Sequence, residues 1–329
     1  MKNFRAVTLI GSTIAALGLA IAAPANAGQL HNGWNYGIDA FKDGALKHDG
    51  SGGEKYNIRG FAFKETEDKI IIGLTGGTSW EGHNHSGAGQ GKVGWGDMVL
   101  NFSPETNFTE MIEDYGSYTS SQTVYNVKEE HKESLLAIKF APNDQGGEYG
   151  LYSVDSFKGI TKENVGYANM DAYNKYLNRG DAQNRAMGTD LPNKTDVTNY
   201  FGTDQRILNV VEEGTKIADI AQLDEAALVS EGLEFDHFLD GVPTGGYEQT
   251  FGFSIDKSAF EGYLPGGMSE FMAHVFLECA NDGVALAGNF TIPDEGGDDP
   301  AAVPEPTALL GLSAMGLAFA ARKRRQLEA

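Results

Sequence analysis

The chain has a single cysteine, Cys279, in 329 residues. No internal disulfide can form, so stability has to come from a packed apolar core. Basic side chains are also scarce. There are 25 Lys and Arg against 46 Asp and Glu, a formal net charge of −21. A surface of that sign repels nucleic acid and anionic lipid headgroups, and no basic patch offsets it. A glycine-rich phosphate loop, a nucleophile elbow and a zinc-protease helix are all missing from the sequence.

Glycine, by contrast, is abundant. The 43 glycines fall mostly in turn-like contexts such as Asp49-Gly50-Ser51-Gly52-Gly53, Gly76-Gly77, Gly146-Gly147, Gly245-Gly246 and Gly266-Gly267. They punctuate short apolar runs, which is the pattern of a mainly β chain. Strands are predicted over 56–63, 69–75, 97–102, 135–140, 149–154, 249–255, 272–278 and 284–290. The β-branched run Lys69 to Thr75 fits a strand buried on both faces. Two segments have helical spacing instead. Met170, Tyr173 and Leu177 share one face, with Asn178-Arg179-Gly180 as a stop, and 224–232 has an acidic start and a glycine end. No internal repeat and no linker precede Pro293. The expectation is one β-sandwich or jelly-roll-like domain over 28–292, with a few short helices packed across one end. An acidic linker, 293–302, follows it.

The two ends of the chain have a different character. Lys2 and Arg5 precede an almost unbroken run of small and apolar residues from Val7 to Ala23. Pro24 then breaks any helix, and Ala25-Asn26-Ala27 is a small-x-small site before Gly28. This order predicts a secretory signal peptide over 1–27, cut by signal peptidase after passage through the translocon. At the other end, Val303-Pro304-Glu305-Pro306 is followed by an uncharged run, Thr307 to Ala321, and then by Arg322-Lys323-Arg324-Arg325. A helix over that run rises about 22 Å, short of the roughly 30 Å hydrocarbon core. Bilayer thinning and snorkelling of the basic side chains close the gap. Positive residues flanking a span stay on the cytoplasmic side. Both ends therefore place the N-terminus outside and the C-terminus inside, with everything between them exported. Without these end segments, 44 acidic and 19 basic residues remain, a net charge of −25.

The C-terminal arrangement over 303–329 resembles the PEP-CTERM sorting signal of bacterial exosortase substrates. The resemblance rests on Val303, Pro304, Glu305 and Pro306, the apolar helix behind them, and the Arg322–Arg325 cluster. It implies recognition by a membrane-embedded exosortase, cleavage near Pro-Glu-Pro, a transient single-pass stay in the inner membrane, and delivery to the cell surface or matrix. Two prolines hold the motif extended and deny it to helix or sheet, leaving it open to a processing enzyme. Gly33 to Asp39, Gly96 to Phe102, Gln249 to Phe253 and Ala273 to Gly283 also look like segments of exosortase-dependent surface proteins. That family is defined by sorting and implies no catalytic residues.

Four constellations bear on chemistry. Cys279 with His274 and Asn281 has the composition of a cysteine nucleophile site. His274 and Cys279 are five positions apart in what reads as one strand, however, which puts them on opposite faces, and a buried structural thiol is the better reading. His83-Asn84-His85 would place two imidazoles on one side of an extended segment, as a metal requires. Its flanks, Gly82 and Ser86-Gly87-Ala88-Gly89, read rather as a solvated loop. Asp39, Asp43, Asp49 and Glu54 offer hard oxygens for calcium, but without the spacing of the helix-loop-helix motif, so solvated acidic turns are expected. Trp34, Tyr36, Trp80 and Trp95 are candidates for a sugar-stacking platform, although aromatics in strands are more often core. The expected function is a non-catalytic surface or matrix protein that associates with exopolysaccharide, as in a biofilm, and needs no cofactor. The alternatives are an exported glycan hydrolase with paired carboxylates and a calcium-dependent carbohydrate-binding module.

Overall fold

The computed structural model describes residues 28–40, 53–118, 123–141, 148–175, 186–203, 205–242, 244–264 and 266–293. Outside them lie the signal segment with Ala25 and Ala27, Asp43 and Asp49, the linker beyond Pro293, and the whole 303–329 sorting signal with Val303–Pro306 and Arg322–Arg325. Among the described residues, no helix is long and apolar enough to cross a membrane.

The chain is mainly β, as expected. Its strands, numbered in chain order, build two large antiparallel sheets and one small hairpin. The first sheet opens with a meander of β1 (Gln29–His31), β2 (Trp34–Ile38), β3 (Ile58–Glu65) and β4 (Lys69–Gly76). The hairpin is β5 (His83–Asn84) with β6 (Lys92–Val93). The chain then crosses to the second sheet through β7 (Met98–Asn101), β8 (Ile112–Tyr118), β9 (Thr123–Val127), β10 (Leu135–Lys139), β11 (Gly150–Gly159) and β12 (Val210–Ala218). It returns to the first sheet with β13 (Ala221–Asp224) and β14 (Gln249–Asp256), and closes the second with β15 (Gly267–Phe276) and β16 (Gly283–Ile292). The resulting orders are β1-β2-β3-β4-β14-β13 and β16-β15-β7-β10-β11-β9-β8, with β12 also paired to β11.

Strand alternation accounts for the layers. On β3 and β4, Phe61, Phe63, Ile70, Ile72 and Leu74 point into a core shared with Leu100, Ile138, Val275 and Leu286 of the second sheet. Ala62 and Ile71, at the intervening positions, face the other way into a separate cluster with Trp34 and Tyr36. The β-branched run is thus buried on both faces, as predicted. Each such large apolar side chain contributes roughly 1.5–3 kcal/mol on burial.

The helices do not sit at one end of the sheets, as the sequence had implied; they cover the outer faces. Met170–Asn174 and Lys194–Phe201 lie over the outside of the second sheet, where Met170, Tyr173, Val197, Tyr200 and Phe201 cover Val99, Ala137 and Phe157. The helix Lys194–Phe201 was not foreseen, yet its local logic is plain. The Asn193 Oδ1 accepts from the Thr195 and Asp196 amides, and Gly202 ends it at φ +78°. Val197, Tyr200 and Phe201 fall on its buried face at i, i+3 and i+4. Glu225–Ser230 covers the first sheet through Leu228.

Buried polar side chains serve backbone at the ends of strands. Asp97 accepts from Phe140, Ala141 and Val211 amides. Asn209 accepts from Ile160 and donates to the Leu277 and Glu278 carbonyls. The Glu278 carboxylate accepts from Gly94 at 2.7 Å. Each therefore satisfies amides or carbonyls that no ladder reaches.

Candidate functional site

A concavity lies over the outer face of the first sheet, where β3, β4 and β14 are roofed by residues 225–242 and 244–248. Glycines permit this roof. A Cβ at Gly60 would stand 2.8 Å from Phe235 Cε1, and one at Gly73 would stand 3.1 Å from Leu233 Cδ2. The bare backbone thus admits two large side chains directly onto the sheet.

The roof is pinned along its length. Asp224 caps the helix Glu225–Ser230 by accepting from the Ala227 amide at 2.8 Å. Trp34 Nε1 and Lys64 Nζ both donate to the Glu231 carbonyl, at 3.0 and 2.6 Å. The Glu234 amide donates to the Tyr36 hydroxyl at 2.9 Å. The Glu234 carboxylate meets His31 Nε2 at 2.8 Å and Asn32 Nδ2 at 3.0 Å, and the His31 hydrogen bond holds it below its usual pKa. The rings of His31 and His237 stack with centroids 3.8 Å apart.

Beneath this roof lies a cleft of about 430 Å³. Arg59, Thr75 and Thr250 form its floor, and Leu233, Phe235 and Leu239 supply an apolar wall. Five exposed carboxylates, Glu225, Glu234, Asp236, Asp240 and Glu248, line the rest. Arg59 is only 2% exposed. Its Nη2 donates to the Thr244 carbonyl at 3.1 Å and stands 3.7 Å from Glu54 Oε2. Its Nε and Nη1 have no hydrogen-bond partner among the described residues. Burial lowers the basicity of the guanidinium, and Glu54, Glu248 and Asp282 oppose that effect.

Two carboxyl groups are buried close by. Asp39 donates its amide to the Arg59 carbonyl at 3.1 Å, and its carboxyl lies close to that of Asp282. Asp282 also accepts from the Ile58 amide at 2.7 Å and the Gly283 amide at 2.9 Å, tying β3 to the turn before β16. Burial pushes its pKa well above the ordinary carboxylate range, although these hydrogen bonds and Arg59 pull it down. Both aspartates are enclosed, at 0% and 1% exposure, so neither reaches a substrate. The cleft itself can donate from Arg59 and the threonine hydroxyls, and accept through its carboxylates.

The structure places the other sequence candidates as follows. Trp34, Tyr36 and Trp95 are fully buried and form no sugar platform, while Trp80 is half-buried against Phe140, Phe251 and Tyr149. His274 on β15 packs against Phe108, Tyr200 and Phe201 on the outer side of the second sheet, whereas Cys279 joins the core between the sheets; β15 ends at Phe276, so Cys279 lies in the turn beyond it and not on the same strand as expected. Asn281 and Asp282 are in the turn between β15 and β16, and Asp282 serves the carboxyl pair. His83 and His85 sit on the same side, with their rings 5.7 and 6.3 Å from that of Tyr56, but the segment is a small hairpin rather than a loose loop. His83 Nε2 is engaged by the Gly77 carbonyl and His85 Nδ1 by the Gly87 amide. Among the described residues, no three His, Cys, Asp or Glu side chains are placed to hold a metal ion. Asp39 and Glu54 do converge, but on Arg59, and Asp39 is buried rather than solvated. Gly28, at the expected signal junction, lies next to the Asn35 side chain, just before β1.

Sequence reading missed Arg59. The available signal was a lone cation inside the apolar strand Ile58 to Phe63, followed at once by a glycine. The chain matches no known family model, no curated protein and no solved structure.

Proposed function

We propose that this chain is an exported, exosortase-sorted surface protein, non-catalytic, whose folded part associates with exopolysaccharide. The observation that carries the reading is the order at the C-terminus. Val303-Pro304-Glu305-Pro306, an uncharged run of fifteen residues and Arg322-Lys323-Arg324-Arg325 follow one another without interruption. An N-terminal signal with its Ala25-Asn26-Ala27 site agrees with it on topology. The partners are then signal peptidase, the translocon, the exosortase and the inner membrane during sorting, with nucleic acid excluded by charge. The finer architecture we read as one jelly-roll-like β-sandwich. The shared core between the sheets supports this, as do the late crossings from β12 to β13 and from β14 to β15. The acidic, hydrogen-bonding cleft supports a binding role.

Fractionation with intact-mass measurement, in cells with and without the exosortase, tests the sorting. The expected mature form begins at Gly28 and ends near Pro304-Glu305-Pro306 only when the exosortase is present. A surface form that keeps Arg322 to Arg325 in exosortase-containing cells refutes it. Co-sedimentation of the mature protein with exopolysaccharide from the same cells tests the association.

A further inference from the structure

We infer that the cleft over the first sheet is a subsite for one neutral sugar unit of a polysaccharide. This inference rests on the exopolysaccharide reading above and assigns it a place and a ligand class. The volume of about 430 Å³ falls within the roughly 300–1,000 Å³ of small-ligand sites.

The chemistry of the lining selects among sugars. At the floor, Arg59 is buried with two N–H-bearing nitrogens that meet no acceptor among the described residues. Unmet donors of that kind are costly in a dry site, and a sugar hydroxyl oxygen relieves them. On the rim, exposed carboxylates including Asp240 and Glu248 only accept, and sugar hydroxyls can donate to them. A hydroxyl group both donates and accepts, so one polyol serves floor and rim together. An acidic sugar would satisfy Arg59 but meet the rim charge for charge. A cationic amino sugar would satisfy the rim but bring its charge toward the guanidinium. The neutral unit is the one that conflicts with neither.

Leu233 and Phe235 then offer an apolar wall to the carbon-bound hydrogens of the ring. That wall is in place before any ligand arrives. Both side chains are seated against the sheet at Gly73 and Gly60, and the roof is tied to β1 and β2 through Glu231 and Glu234. Little ordering is left for the binding step, so less of the contact energy is lost to immobilising the site.

The test uses the mature protein, purified and titrated calorimetrically with oligosaccharides from neutral glucans, galactans and mannans. Alginate and chitosan fragments serve as the acidic and cationic arms. At least one neutral series is expected to bind, and the double variant Asp240→Asn, Glu248→Gln should weaken it by tenfold or more. Arg59→Lys, checked for an unchanged circular dichroism spectrum, should do the same. If no neutral series binds, the inference is overturned. If a neutral sugar binds equally well to the rim variant, the site is wrong while the exopolysaccharide reading survives. Rim-dependent binding of alginate or chitosan instead overturns the ligand class. Failure of the wild-type protein to co-sediment with its own exopolysaccharide removes the underlying reading separately.

Discussion

Replacing Asp97 by alanine should be among the most damaging single changes outside the apolar core. The side chain is 1% exposed, and its two oxygens serve three backbone amides. Oδ1 accepts from Phe140 and Ala141, both at 2.8 Å, and Oδ2 accepts from Val211 at 2.8 Å. These amides belong to the end of β10 and the start of β12, and Asp97 itself precedes β7. One carboxylate therefore closes three strands at once. Alanine leaves all three donors buried without an acceptor, each at a cost of roughly 1–3 kcal/mol. Water entering the space left behind recovers part of that, so the expected net loss is about 4 kcal/mol. Asp97→Asn keeps one oxygen but turns an amide donor toward at least one of the three N–H groups, and should lose about half as much. Urea unfolding followed by tryptophan fluorescence is the assay, because fully buried Trp95 lies two residues away. A wild-type-like slope with a shifted midpoint isolates the stability change. If Asp97→Ala unfolds within about 1 kcal/mol of the parent, the carboxylate is not the keystone described here.

Three further outcomes are expected. Gly73→Val should push on Leu233, whose Cδ2 is 3.1 Å from the position of the new Cβ. It should cost roughly 1–3 kcal/mol and expose residues 225–250 to limited proteolysis, and a variant as resistant as the parent refutes the seating. His274 is fully enclosed by Phe108, Tyr200 and Phe201, and burial lowers its pKa to about 3. Above pH 6.5 it is neutral folded or unfolded. Below that, only the unfolded chain takes the proton, so stability should fall by up to about 1.4 kcal/mol per pH unit until pH nears 3. His274→Met should flatten that limb of a pH series of urea midpoints; an unchanged limb removes the argument. The Asp39–Asp282 pair acts in the opposite sense. With the folded pKa of Asp282 raised by burial, its contribution is full below the ordinary carboxylate pKa and is lost as pH rises through the folded one. Above pH 6.5, where His274 no longer titrates, the melting temperature should therefore fall as pH rises toward alkaline values, and one that climbs over that range contradicts it.

Local pattern carried a good deal of this fold. Alternation and β-branching marked strands such as Lys69–Gly76 and Gln249–Asp256 almost to the residue, because a half- or fully buried strand writes its faces into adjacent positions. The sorting signals proposed for the two ends are read from sequence alone, as linear motifs.

What tertiary structure alone decided was which distant residues meet. Nothing local says that β14 pairs with β4 across more than 170 intervening residues, or that Asp39 and Asp282 are buried side by side. The aromatic residues Trp34 and Tyr36 face outward on β2, and only the arrival of Leu228, Leu233 and Phe235 buries them. The cleft exists for the same reason: its floor comes from β3, β4 and β14, and its wall from the segment between β13 and β14. Burial, hydrogen-bond satisfaction and pKa depend on what packs from across the chain. A sequence window of ten residues encodes a strand's faces, but not the neighbour that covers them.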